Sequence, residues 1–365
     1  PLVVVLHGCT QTAGGYDLGA GWSTLADRYG FALLLPEQQR ANNPQGCFNW
    51  FQPGHIARGR GEALSIRQMV ERMVSDHGLD QRRVFVTGLS AGGAMAGVML
   101  ATYPDVFAGG AILAGLPYGC ASNVQEALEC MYQGPSRPAR EWGELVRAAS
   151  PHKGPWPKVS VWHGSADTTV VPQNAEEIVK QWTDVHGLAP ATTREDRVDG
   201  VPRRVWRNAA GEDVIESFTV DGMAHGTPIA PDRGEAPHGS AAPFILDVGI
   251  ASSYHIAKFW GLTEGKPRAA AEASRESRTA AGAGIAAEAS SAGRGRYARE
   301  SAAGAQEDAQ AADAFRPTPA DRATDDAGSS GRRTALPIDP HAVITKALGA
   351  AGLLKGAVGK ILGRR

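Results

Sequence analysis

A serine set among small residues, Gly88-Leu89-Ser90-Ala91-Gly92, limits what this chain can fold into more than any other stretch. The run before it, Val84-Phe85-Val86-Thr87, is β-branched and aromatic, as a buried strand is. The run after it, Gly93 to Ala101, is rich in Ala, Met and Leu, as a helix is. The glycines let the chain reverse tightly between the two and let strand and helix approach, which leaves the Ser90 hydroxyl standing at the end of a sheet. A Gly-rich turn carrying an ordinary serine has the same local pattern, so the partners of Ser90 must be sought elsewhere in the chain.

Strand-like and helical runs alternate on both sides of this turn. Leu2 to Leu6 is continuously apolar, the mark of a parallel strand covered on both faces. Helical spacing around Trp22 to Tyr29 is stopped by Gly30, and Phe31 to Leu35 reads as the next strand, ended by Pro36. Further helices are expected over 62–77, 175–186 and about 250–260. Further strands are expected over 106–113 and 159–162, and a hairpin joins 204–207 to 214–218 across Asn208-Ala209-Ala210-Gly211. Residues 115–156, dense in Gly and Pro, read as a loop-rich excursion over the sheet's carboxyl edge. The expected fold class is α/β, a mostly parallel central sheet with helices on both faces, and ligands bind beyond the carboxyl ends of such strands.

The folded domain is expected over 1–263. Because the chain opens at Pro1 straight into a central strand, it reads as a processed or truncated product, with edge strands and any targeting segment preceding it. Near Gly265 the composition turns to Ala, Gly, Ser, Glu, Arg and Asp, too poor in apolar surface to offset ordering entropy, so 264–340 is expected to be a disordered linker. Over 341–365, Ile344, Leu348, Leu354, Val358, Ile361 and Leu362 recur at helical spacing beside Lys and Arg without any acid. That is a basic amphipathic helix. It suits docking to a membrane, granule or protein, or equally a Gly-weakened tail that packs nowhere. With a formal net charge of -1 there is no overall pull toward nucleic acid, and no apolar run is long enough to span a bilayer.

A serine hydroxyl is a poor nucleophile until a base takes its proton and a third group orients that base. The candidate acid is Asp167, just past the strand that includes Trp162, with Asp184, Asp196 and Asp199 in less suitable settings. The candidate base is His225, in Gly222-Met223-Ala224-His225-Gly226. Among its rivals, His163 is expected to pack beneath the acid's loop, His255 to lie along a helix, and His238 to compete from a Pro/Gly loop. Acyl transfer also needs donors for a developing oxyanion. The Ala91 amide at a helix N-terminus and the Cys9 amide after the first strand are chosen, with Thr10 beside them. Trp50 is expected near the site as a substrate contact. The four cysteines make no C-x-x-C pair and have no His cluster, so no metal or other cofactor is expected. Their loop positions favour the disulfides Cys9–Cys47 and Cys120–Cys130 over four buried thiols, and with them an extracellular or periplasmic setting rather than a cytoplasmic one.

Taken together, His7-Gly8-Cys9-Thr10-Gln11, Cys47-Phe48-Asn49-Trp50-Phe51, Gly88 to Met95, Gly119-Cys120, Trp162-His163-Gly164 with Asp167, and Gly222 to Gly226 resemble the bacterial polyhydroxybutyrate-depolymerase family of esterases, relatives of the feruloyl and acetylxylan esterases. The resemblance covers roughly residues 1 to 262. It implies an α/β-hydrolase catalytic domain, a Ser90-Asp167-His225 triad, no metal, and cleavage of polyesters, oligoesters or small esters of short hydroxyacids. Feruloyl or acetylxylan ester cleavage is the alternative, and a non-catalytic hydrolase-fold binding protein a further one. Secreted depolymerases that attack solid polymer usually carry a separate polymer-binding module. Nothing after Gly265 resembles one, so soluble oligomers, amorphous polymer or small esters are the expected substrates.

Overall fold

In the computed structural model, residues 1–232 and 239–264 are described. The linker and basic helix expected after residue 264, and His238, lie outside them. The chain begins with β1 (Leu2–Leu6), α1 (Ala13–Ala20), α2 (Trp22–Tyr29), β2 (Ala32–Leu34) and α3 (Gly61–His77). It continues through β3 (Val84–Leu89), α4 (Ala91–Thr102), β4 (Gly109–Leu113), α5 (Val124–Gln133), α6 (Ala139–Ala148), β5 (Lys158–Gly164) and α7 (Gln173–Val185). The last elements are β6 (Arg194–Val198), β7 (Val201–Arg207), β8 (Asp213–Val220), β9 (Thr227–Ile229), β10 (Ile245–Asp247) and α8 (Ser252–Phe259).

Eight strands form one sheet in the order β2-β1-β3-β4-β5-β8-β7-β6. The first six of that order run parallel, and β7 and β6 close the edge antiparallel. The sheet is covered on both faces, as the unbroken apolar runs require. Along β1, Leu2, Val4 and Leu6 join the core shared with α3 to α7, whereas Val3 and Val5 join the core shared with α1, α2 and α8. Strands buried on both faces cannot alternate polar and apolar, which is why they stand out in the sequence. Every residue of α4 is buried, so this helix is apolar all round and needs no amphipathic stripe.

Two departures from the sequence reading concern elements around the sheet's rim. The Gly- and Pro-rich stretch 115–156 contains α5 and α6, the first capped by the Asn123 side chain accepting from the Glu126 amide at 3.0 Å. The expected Cys120–Cys130 disulfide is replaced by two buried free thiols, with the Cys130 thiol donating to the Cys120 carbonyl at 3.1 Å. Burial pushes the Cys120 thiol well above its ordinary range, which keeps it protonated and unreactive. Cys9 and Cys47 do form a disulfide. Among the described residues no helix is long and apolar enough to cross a membrane.

Candidate active site

The turn between β3 and α4 explains the two glycines of the motif. A Cβ on Gly88 would collide with the Gly92 carbonyl, and one on Gly92 with the carbonyl oxygens of Leu6 and His7. Close approach of β1, β3 and α4 therefore demands glycine at both positions. Between them Ser90 is held at φ 58°, a conformation rare for a non-glycine residue, with its amide donating to the Leu113 carbonyl at 2.9 Å. The strained backbone lifts the side chain off the sheet and into a cleft of about 290 Å³, counting the part open to solvent. Gly8, Cys9, Thr10, Gln11, Leu89, His225 and Phe244 line that cleft with Ser90.

Asp167 and His225 arrive from the loops after β5 and β8, strands that are neighbours in the sheet though their loops are far apart in sequence. His225 Nδ1 lies 2.7 Å from Asp167 Oδ2. The other carboxylate oxygen, Oδ1, accepts the backbone amides of Thr169 and Val170, both at 2.9 Å. Burial opposes ionisation of this carboxyl, but hydrogen bonds from His163 and His225 outweigh it and hold Asp167 well below the usual carboxylate range. An ionised Asp167 is acceptor-only, so the Nδ1 of His225 carries the proton and its Nε2 is left with a free lone pair. An imidazole in that tautomer on the wall of the Ser90 cleft can act as a general base.

Cys9, Thr10 and Ala91 are where oxyanion donors and a substrate contact were expected. Cys9 and Thr10 line the cleft, and Ala91 is the first residue of α4, where helix amides have no intrahelical partner. The loop bearing Cys9 is fixed from several sides. Gln11 Oε1 accepts from the Gly8 amide at 2.8 Å, the Thr10 amide donates to the Gln45 carbonyl at 2.9 Å, and Cys9 is bonded to Cys47. His7 Nε2 accepts the Gln38 amide at 3.1 Å while its Nδ1 lies 2.7 Å from the Gly8 carbonyl, so Nδ1 holds the proton and the buried ring is neutral. Burial lowers its affinity for a second proton.

Trp50 is the one expected contact found elsewhere. It is buried in the core, edge-on to Phe51 at 5.3 Å, and does not line the cleft. The Cys47–Phe51 stretch serves the loop's framework instead. Asn49 donates to Glu62 from its amide at 2.8 Å and its side chain at 2.5 Å, and Gln38 Nε2 reaches the same carboxylate at 2.6 Å. Phe244, which the sequence reading did not single out, stands across the cleft with its ring 6.1 Å from that of His225 and its backbone at φ 64°. Its carbonyl accepts the Thr227 amide at 2.9 Å, and Gln11 Nε2 donates to the Pro243 carbonyl at 3.3 Å, so both walls of the cleft are tied together. Among the described residues the three rival acids, and the rival base His255, are paired with other groups. Asp184 pairs with Arg147 at 2.6 Å, Asp196 with Arg203 at 2.7 Å, and Asp199 with His255 at 2.8 Å.

The Esterase PHB depolymerase family profile matches residues 1–203. The chain is 50% identical over 263 residues to poly(3-hydroxyalkanoate) depolymerase C of Paucimonas lemoignei, an alignment that takes in 72% of this chain and 63% of that protein's length. It is 35% identical over 234 residues to feruloyl esterase B of Thermothelomyces thermophilus, covering 62% of this chain and 78% of that protein. Among solved structures, the acetyl xylan esterase from Aspergillus awamori superposes with a TM-score of 0.60 at 26% identity, covering 72% of this chain and 89% of that one. The chain has the α/β-hydrolase fold, and it belongs to the Esterase PHB depolymerase family.

Proposed function

We propose that this chain hydrolyses esters of short hydroxyacids, such as oligo(3-hydroxybutyrate), through a Ser90-His225-Asp167 triad and an acyl-enzyme. The observation that carries the reading is the 2.7 Å contact of His225 Nδ1 with a buried, ionised Asp167, on the wall of the cleft that Ser90 lines. His225 Nε2 takes the Ser90 proton as Oγ attacks the ester carbonyl, and the same nitrogen returns it to the departing alcohol. The amides of Ala91 and Cys9 hold the oxyanion. Water, activated by His225, then attacks the acyl-enzyme and releases the acid.

The lining of the cleft supports the substrate assignment. With Phe244 and Leu89 as apolar walls beside Ser90, it suits a short, branched aliphatic acyl group. Phe244 stands beside His225 and narrows the cleft, which favours small hydroxyacid or acetyl groups over larger aryl ones. The Cys9–Cys47 disulfide favours an oxidising, extracellular or periplasmic setting.

The test is hydrolysis of p-nitrophenyl butyrate and of a soluble 3-hydroxybutyrate oligomer by the wild type and by Ser90→Ala. Loss of the nucleophile should remove several orders of magnitude of rate on both, on the order of 10⁴-fold or more. A folded wild type that cleaves p-nitrophenyl ferulate but not the oligomer would shift the assignment to aryl esters. Residual full activity in Ser90→Ala would end the triad reading.

A further inference from the structure

Asp167 has a second histidine at its carboxylate. His163 Nε2 lies 2.7 Å from the Val170 carbonyl oxygen and 3.3 Å from Asp167 Oδ2, the oxygen that also contacts His225. A carbonyl only accepts, so His163 Nε2 must carry a proton, and that proton is shared between the carbonyl and the carboxylate. Oδ1 already takes the Thr169 and Val170 amides, so His163 completes a set of four donors around one carboxylate. The ionisable groups facing Asp167 are His163 and His225.

The other side of the His163 ring adds to the argument. The residue is 1% exposed, and its Nδ1 is buried without a hydrogen-bond partner among the described residues. A buried, unpaired nitrogen is destabilising. An apolar side chain would fill this space beneath the acid's loop without that cost, so packing alone does not explain a histidine here.

We infer that His163 is a positioning residue for the reaction, donating from Nε2 to Asp167 Oδ2 and so fixing the carboxylate in the orientation that holds His225 in its working tautomer. The inference rests on the triad proposed above. Without the donor, Asp167 Oδ2 is no longer fixed at the angle that aims His225 Nε2 at Ser90, and its charge, no longer shared with His163, bears on the His225 imidazolium alone. The first effect lowers kcat. The second moves the acid limb of the kcat/KM profile to higher pH, because His225 then gives up its proton less readily.

The experiment compares His163→Leu, His163→Asn and His163→Gln with the wild type on p-nitrophenyl butyrate across pH, with thermal unfolding as a control. Gln carries an amide nitrogen about as far along the side chain as Nε2, whereas Asn stops one bond short. The expected result is a kcat about tenfold or more lower in the Leu and Asn variants, the size of a lost charge-assisted hydrogen bond, with KM nearly unchanged. The acid limb should rise in both, and Gln should restore kcat and limb together. If Leu does not fold, the contrast between Asn and Gln carries the test alone. A folded Leu or Asn variant with kcat within twofold of wild type and an unshifted limb overturns the inference, as does a Gln variant no better than Asn. Labelling of wild-type Ser90 by a fluorophosphonate, absent in Ser90→Ala, separates this outcome from failure of the triad itself.

Discussion

Replacing both members of the Cys9–Cys47 bridge with serine perturbs the proposed oxyanion loop while leaving the side chains of the proposed triad in place. The two cysteines are 38 residues apart. Cross-linking a loop of that length removes chain entropy from the unfolded state worth about 4 kcal/mol. That is a large part of the roughly 5–15 kcal/mol by which a domain is stable. The native loop keeps its other ties, the Thr10–Gln45, Gly8–Gln11 and Asn49–Glu62 hydrogen bonds, so most of the loss falls on the freed unfolded chain. The assay is urea unfolding of the oxidised wild type, the same protein in dithiothreitol, and the double serine variant, with kcat on p-nitrophenyl acetate measured for each. Because Cys120 and Cys130 are already thiols, the reductant acts on this one bond among the described residues. The midpoint should fall in both reduced forms, and kcat should fall as the Cys9 amide loses its fixed position. An unchanged midpoint and kcat would refute the reasoning and leave the hydrogen bonds as the sole support of the loop.

Phe244→Ala should widen the cleft. The ratio of kcat/KM for p-nitrophenyl octanoate over acetate is expected to rise by about tenfold, the scale of a few methylenes admitted to an apolar pocket, and an unmoved ratio would remove Phe244 from the substrate's path. Glu216→Gln tests a buried carboxyl away from the site. Burial pushes Glu216 up to about 7, with the Ser160 hydroxyl and Arg203 pulling the other way. A raised folded-state value means this carboxyl's stabilising share is full below its ordinary value near 4.5 and is lost as pH rises toward 7. The Gln variant should therefore lose less stability than wild type between pH 5 and pH 8, by up to about 3 kcal/mol, and parallel losses in the two proteins would refute it.

How far the sequence could be read followed from how local the causes were. The elbow was legible because its glycines answer to collisions within one strand–turn–helix unit, and the central strands β1, β3 and β4 because burial on both faces leaves largely apolar runs. The contact between Asp167 and His225 follows from their places after the ends of two strands that are neighbours in the sheet. By contrast, α1 was missed because Gly14, Gly15 and Gly19 argue against a helix. It forms through the Thr12 cap on the Gly15 amide and through Tyr16, whose hydroxyl reaches Thr227 at 3.0 Å from the far end of the domain. β6 was missed because it is charged rather than apolar, held to β7 by the two-pronged Arg203–Asp196 pair. Trp50 was misplaced because a core aromatic and a cleft aromatic read alike. Phe244 carries no motif at all, and its role arises from a left-handed backbone turn set by contacts that the sequence does not display.

The three side chains of the proposed triad hang from the ends of β3, β5 and β8, and β5 pairs with β8 across the sequence of α7, β6 and β7 that separates them. The His225–Asp167 contact alone joins residues 58 positions apart. Non-local pairing of this kind is slow, because loop-closure entropy is spent before any contact rewards it. No fragment of the chain short of the assembled β3–β8 array brings the three groups together. Partly folded molecules, in which exposed strand edges are a hazard, therefore hold Ser90 without its base. With the proposed triad the nucleophile is armed last, so hydrolysis would report a finished fold rather than the presence of a motif.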